Sequence, residues 1–119
     1  MSRRIPMLAL MSLYVLIGIP SSIQAGSANV AAGKRIYGEL CQTCHGLDGK
    51  GPGAMKFSPP AADLTSQQVQ AKLDSGLYKS IHEGRANTAM GAWKYALSDE
   101  EISDVISYVR TFGDAATKP

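Results

Sequence analysis

Five consecutive residues, Cys41-Gln42-Thr43-Cys44-His45, concentrate most of the reactive chemistry of this 119-residue chain, holding both of its cysteines and one of its two histidines. On a helical turn, residues three apart share a face. Both thiols can therefore reach one flat ligand while the imidazole is aimed at its centre. Cys-x-x-Cys-His is the spacing at which a c-type haem is attached. Cys41 and Cys44 would take up the two vinyl groups of the porphyrin, and His45 would give the iron its first axial ligand.

Three other chemistries use similar residues. A structural zinc site wants four ligands at regular spacing, and His82 stands far from His45 without a paired ligand. A thioredoxin-like dithiol belongs with a βαβ pattern, and no strand-like alternation precedes Cys41. A plain disulfide would leave His45 without a role. Haem attachment uses all three residues.

A haem held by one histidine has a sixth iron position, and its occupant decides the chemistry. Met55 lies ten residues after His45 in a Gly/Pro-rich stretch, where core packing is its ordinary role. Met90, in Asn87-Thr88-Ala89-Met90-Gly91-Ala92-Trp93, has the reach to return to the opposite haem face. A thioether favours ferrous iron and raises the reduction potential. His82 is flanked by Lys79 and Glu83 on an expected helix and reads as a surface residue.

The start of the chain has the form of an export signal. Arg3 and Arg4 precede an apolar run from Met7 to Ile19, Pro20 breaks it, and small residues lead to Ala25. Cleavage after Ala25 would make residues 1–25 a signal peptide and 26–119 one domain, located in the periplasm. The 13-residue run is short for a bilayer span, and an uncleaved anchor is the alternative. Without residues 1–25 the chain has ten basic and ten acidic side chains. That balance, with no basic block, gives no footprint for nucleic acid.

The remaining residues must hold the motif. Val30, Gly33, Tyr37 and Leu40 recur at helical spacing just ahead of Cys41. Gly33 costs such a helix roughly 1 kcal/mol against alanine and is suited to close approach by another helix. Glycines and prolines between Gly46 and Leu64 predict a long loop. Thr65 and Gln68 read as a capping box for a helix bearing Val69 and Leu73. Asp74-Ser75-Gly76 reads as a break before a helix with Leu77 and Ile81 that Gly84 ends. Ser98-x-x-Glu101 caps a final helix with Ile102, Val105, Ile106 and Val109 on one face and Phe112-Gly113 closing it. The expected fold is all-α, three to five helices around one cofactor.

Taken together, these residues resemble a class I, single-haem bacterial cytochrome c over nearly all of residues 28–113. The matching features are Gly33 and Tyr37, Cys41-x-x-Cys44-His45-Gly46, Asp48-Gly49-Lys50-Gly51, Pro59-Pro60 before Asp63-Leu64, Ile81-x-x-Gly84, Met90-x-x-Trp93, and Leu97-Ser98-Asp99-Glu100-Glu101-Ile102 leading to Tyr108. The resemblance implies that the first and last helices cross at Gly33, with Tyr37 and Tyr108 packing there. It also implies that a proline-loop carbonyl, at Pro60 or its neighbour, accepts the His45 N–H. Gly91 stands where many members of that family have proline, which implies a looser loop around Met90.

The expectation is a periplasmic one-electron carrier with a single covalent haem c, ligated by His45 and Met90, and no catalytic residues. Its partners would be redox proteins, with Lys50, Lys56, Lys72, Lys79 and Lys94 available to a docking face. Membrane contact would come only through those partners or an uncleaved anchor. Two alternatives keep the haem: a subunit of a dehydrogenase or oxidase complex, and an open-site protein binding a gas or peroxide.

Overall fold

The computed structural model describes residues 27–116, so the expected signal peptide lies outside the described residues. Helix α1 (Val30–Ile36) runs without a break through a π-helical turn, Tyr37–Cys41, into α2 (Gln42–His45). Two short helices follow, α3 (Gln67–Gln70) and α4 (Asp74–His82), and then the long α5 (Asp99–Ala116). No strand occurs among the described residues, and the protein is all-α.

Helices α1 and α5 form the frame. A side chain at Gly33 would collide with the Asp104 carbonyl, so only glycine lets the two backbones approach this closely. One turn on, the Tyr37 ring packs edge-on against Tyr108 and Phe112, with both centroid separations 5.3 Å. Tyr108 and Phe112 meet each other at 5.2 Å. Such pairs add about 0.5–1.5 kcal/mol each beyond simple burial. The start of the frame is tied as well, because the Asn29 amide donates to buried Asp104 at 2.6 Å. Asn29 also caps α1, its side chain accepting from Ala31 and Ala32. The core comprises Ile36, Tyr37, Val69, Leu77, Leu97, Ile102, Val105, Ile106 and Val109.

Several boundaries differ from the sequence reading. Ser66, not Thr65, caps α3, accepting from the Val69 amide at 3.3 Å. Thr65 instead bonds Asp63 through its amide and hydroxyl, and chiefly that hydroxyl holds the Asp63 carboxyl below its ordinary pKa. Asp74-Ser75-Gly76 is the first turn of α4, so the break falls earlier, at Ala71–Leu73. Arg110 fixes that break by donating to the Gln70 and Lys72 carbonyls and to Asp74. Helix α5 continues past Gly113 to Ala116. The Ser98–Glu101 capping box is present, with the Ser98 amide donating to Glu101 at 2.9 Å and the Glu101 amide donating to Ser98 at 3.2 Å.

Candidate cofactor site

The Cys-x-x-Cys-His segment is the end of a continuous helix, and the helix widens just as it arrives. The π turn Tyr37–Cys41 delivers Cys41, after which α2 carries Cys44 and His45 through one further turn. Single π turns of this kind concentrate at functional sites. The last carbonyls of α2, which a helix end leaves without partners, are taken up by the loop that follows. Met55, Gly53 and Gly51 donate their amides to the Thr43, Cys44 and His45 carbonyls at 3.2, 2.8 and 2.8 Å. Gly53 has no room for a side chain, since a Cβ would run into the Thr43 carbonyl. Tyr37 spans the segment, its hydroxyl donating to the Gly46 carbonyl at 2.7 Å. Burial pushes the Tyr37 phenol well above its ordinary pKa, so it stays a proton donor.

Neither cysteine is in a disulfide. Burial, with Cys44 adding to it, pushes the Cys41 thiol up to about 11. That is opposite to a redox-active dithiol, in which the attacking thiol is lowered.

His45 is oriented from behind. Its Nδ1 lies 3.0 Å from the Ala62 carbonyl oxygen. A carbonyl can only accept, so Nδ1 carries the proton and Nε2 keeps its lone pair for a ligand. The accepting carbonyl is two residues beyond Pro60. This corrects the expected position, Pro60 or its neighbour, because the loop passes His45 only after leaving the proline pair.

Met90 belongs to a loop pinned against the end of α4. The Arg85 amide donates to the Met90 carbonyl at 2.8 Å, Trp93 to Ile81 at 3.0 Å and Lys94 to His82 at 3.3 Å. Gly84, at φ +72°, is the seat of this loop, and a Cβ there would lie 2.6–2.7 Å from Gly91, Ala92 and Met90 backbone atoms. Outside the loop, Glu83 bridges Lys94 and His82, each at 2.7 Å.

All four expected site residues, Cys41, Cys44, His45 and Met90, line one cavity of about 680 Å³. Its wall is mostly apolar and includes Leu40, Val69, Leu77, Trp93, Val105 and Ile106. Cavities of roughly 300–1,000 Å³ with such walls suit small-molecule cofactors. Two thiols, an imidazole with a free Nε2 and a thioether, around an apolar space of this size, fit a c-type haem. Met55 and His82 do not line the cavity. Met55 is 49% exposed, against the core role expected for it, because the loop carrying it lies outside the Thr43 carbonyl. His82 stacks on Tyr78 at 5.2 Å, away from the cavity.

An all-α frame closed by its first and last helices, enclosing a cavity that opens onto Cys-x-x-Cys-His, defines a c-type cytochrome domain. The chain belongs to the family described as cytochrome c oxidase, cbb3-type, subunit III, whose model matches residues 28–109. It is accordingly a cytochrome c domain, an electron-transfer haem protein. It is 29% identical over 92 residues to cytochrome c-554(547) of Halothiobacillus neapolitanus, matching 71% of this chain and 98% of that one. Over 91 residues it is 26% identical to the quinohemoprotein alcohol dehydrogenase ADH IIB of Pseudomonas putida, where it spans only 12% of the relative's length against 76% of its own. Among solved structures it is similar to the KustC0563 c-type cytochrome, at 31% identity and a TM-score of 0.58, covering 67% of this chain and 95% of that one.

Proposed function

We propose that this protein is a periplasmic electron carrier with one covalent haem c, in which Cys41 and Cys44 tether the porphyrin and His45 and Met90 ligate the iron. The observation that carries the reading is the convergence of those four side chains on one apolar cavity, with His45 already held by Ala62. Residues 26–119 would form the carrier, exported by the signal of residues 1–25. Bound there, haem iron supplies reversible one-electron exchange between its ferric and ferrous states.

The protein's residues have separable tasks. Cys41 and Cys44 would hold the porphyrin through thioether links, and since addition of S–H across a vinyl C=C is itself balanced, attachment would need no oxidant. Ala62 fixes the His45 ring and makes its Nε2 more electron-rich. The Gly84 seat and the Arg85 amide hold the Met90 loop in one position, which favours an unchanged set of ligands in both oxidation states. Leu77, Val105, Ile106 and Trp93 keep water from the centre of the cavity. Nothing in this set asks for a substrate.

A second reading, an electron relay within a larger enzyme, is supported by the match to part of a quinohemoprotein alcohol dehydrogenase. Chemistry at the iron is the same in both, and only the partner differs.

Absorption spectra of the oxidised and reduced protein, recorded with and without carbon monoxide at neutral pH, test the carrier. A low-spin spectrum with little change on adding carbon monoxide supports it. Rapid, complete formation of a carbon monoxide adduct would instead assign an open iron position.

A further inference from the structure

Outside the cavity, five side chains form one run of contacts. Lys94 donates its Nζ to one Glu83 carboxylate oxygen at 2.7 Å, and the Nδ1 of His82 lies 2.7 Å from the other. His82 stacks on Tyr78 at 5.2 Å, and the Tyr78 hydroxyl donates to Asp99, the first residue of α5, at 2.6 Å. None of the five lines the cavity. Both ends of the run, Lys94 and Asp99, lie on the segment by which the Met90 loop rejoins the frame, so α4 grips that segment twice.

The loop has few other ties. It leaves α4 after Glu83 and returns at Trp93 and Lys94, whose amides donate to the Ile81 and His82 carbonyls, groups that a helix end leaves without partners. Its remaining polar contacts are internal. The Arg85 amide donates to the Met90 carbonyl, the Met90 amide to the Thr88 hydroxyl at 3.1 Å, and that hydroxyl to the Arg85 carbonyl at 2.8 Å. Asn87, midway along, takes φ 59°, a left-handed conformation in which asparagine is enriched. These contacts shape the loop without fastening it. Glu83–Lys94 is the only side-chain hydrogen bond among the described residues that joins its two ends. We propose that Glu83 is a positioning residue for Met90: bridged to Lys94, it latches the mouth of the 84–93 loop and so sets how often the thioether leaves the iron to an outside ligand. It rests on the haem reading above, with Met90 on the iron.

The bridge is built as a latch rather than a brace. Its side chains are partly exposed, Glu83 at 46% and Lys94 at 30%, and such pairs add little to global stability. A local opening need not unfold the domain, and its population follows only the contacts that it breaks. Opening here would break this bridge and the two backbone bonds beside it, while α1 and α5 stay packed. His82 holds the carboxylate from its other side. The bond to Lys94, then that to His82, keeps the Glu83 carboxyl below its usual range, and the same bond to Glu83 raises Lys94, so both partners are charged at neutral pH.

The test is imidazole binding to the ferric, haem-loaded protein at neutral pH, followed by stopped flow as the long-wavelength band from sulfur to iron disappears. The chains compared are the native one, Glu83→Gln, Lys94→Gln, the two combined, and Lys94→Arg. At saturating imidazole the rate reports how often the loop opens. Arg35→Gln, which breaks an exposed pair on α1 away from the loop, is the control. Glu83→Gln and Lys94→Gln should each speed binding about two- to fivefold, the range expected when one exposed ion pair is lost from an opening equilibrium. Each should keep the band at rest. The combined variant should be no faster than the faster single one, because both remove the same bond. Lys94→Arg keeps the charge and should bind at close to the native rate, as should Arg35→Gln. Native rates in both glutamine variants, or effects that multiply in the combined one, with the resting band intact, overturn this inference alone. A native ferric protein without the band, or without covalent haem, overturns the proposed function and this inference together.

Discussion

The α-carbon of Gly33 faces the carbonyl of Asp104 so closely that no side chain fits between them. Helices α1 and α5 meet there, and α5 lends Val105, Ile106 and Val109 to the cavity wall. Overpacking inside a settled core costs about 1–3 kcal/mol, and here the obstructing atoms are backbone. Gly33→Ala should lose about 3 kcal/mol or more of stability in denaturant titration, with the visible spectrum of surviving folded protein changed little.

Covalent attachment is tested on a denaturing gel stained for haem peroxidase activity. The native protein should keep its colour, and Cys41→Ser combined with Cys44→Ser should lose it. Haem that leaves the native protein in acid acetone would refute the thioether links.

Met90→Ala should abolish the weak long-wavelength band from sulfur to ferric iron. Met55→Ala should leave that band in place, since Met55 is at the surface. Gly84→Ala is the sharper variant. A residue other than glycine at φ +72° costs about 1–2 kcal/mol, and its Cβ would press on the Met90–Ala92 backbone. The band should weaken, and carbon monoxide should bind faster than in the native protein.

The Glu83 bridge gives a pH dependence with a definite sign. Hydrogen bonds from Lys94 and then His82 hold the Glu83 carboxyl below its ordinary 4.5. The unfolded chain therefore takes up this proton at higher pH than the folded one. Stabilisation is complete above about 4.5 and drains away as pH falls through the lowered value. Lys94, raised above 10.5 chiefly by its hydrogen bond to Glu83, works at the other limit. Its share is complete below 10.5 and is lost as pH rises through the folded value. Glu83→Gln should lower the melting temperature at pH 7 slightly and not at all below the folded pKa of Glu83.

Tyr37→Phe removes the hydroxyl that donates to the Gly46 carbonyl while keeping the ring packed on Tyr108 and Phe112. A loss of about 1 kcal/mol is expected for one hydrogen bond. Equilibrium denaturation of the haem-loaded variant measures it.

Local signals in the sequence proved the most legible. Ser98 and Glu101 cap α5 as their spacing requires, because both partners lie within one turn. Gly84 ends α4 and Gly33 marks the crossing, because each position excludes a side chain. The four candidate site residues were named from the sequence, and the structure brings all four to one cavity. What the chain hid depends on paths between distant segments. Ala62, rather than a proline position, reaches His45 because of the course of a loop that no periodicity describes. The π turn escaped because one extra residue barely disturbs a helical count over so short a stretch.

Asn29 and Asp104 are joined across 75 residues of chain, which has a meaning for the order of assembly. Val105, Ile106 and Val109, one wall of the cavity, lie on α5, far along the chain from Cys41, Cys44 and His45. A chain emerging from its N-terminus presents both thiols and His45 while that wall does not yet exist. The chamber therefore lacks that wall until α5 docks on α1.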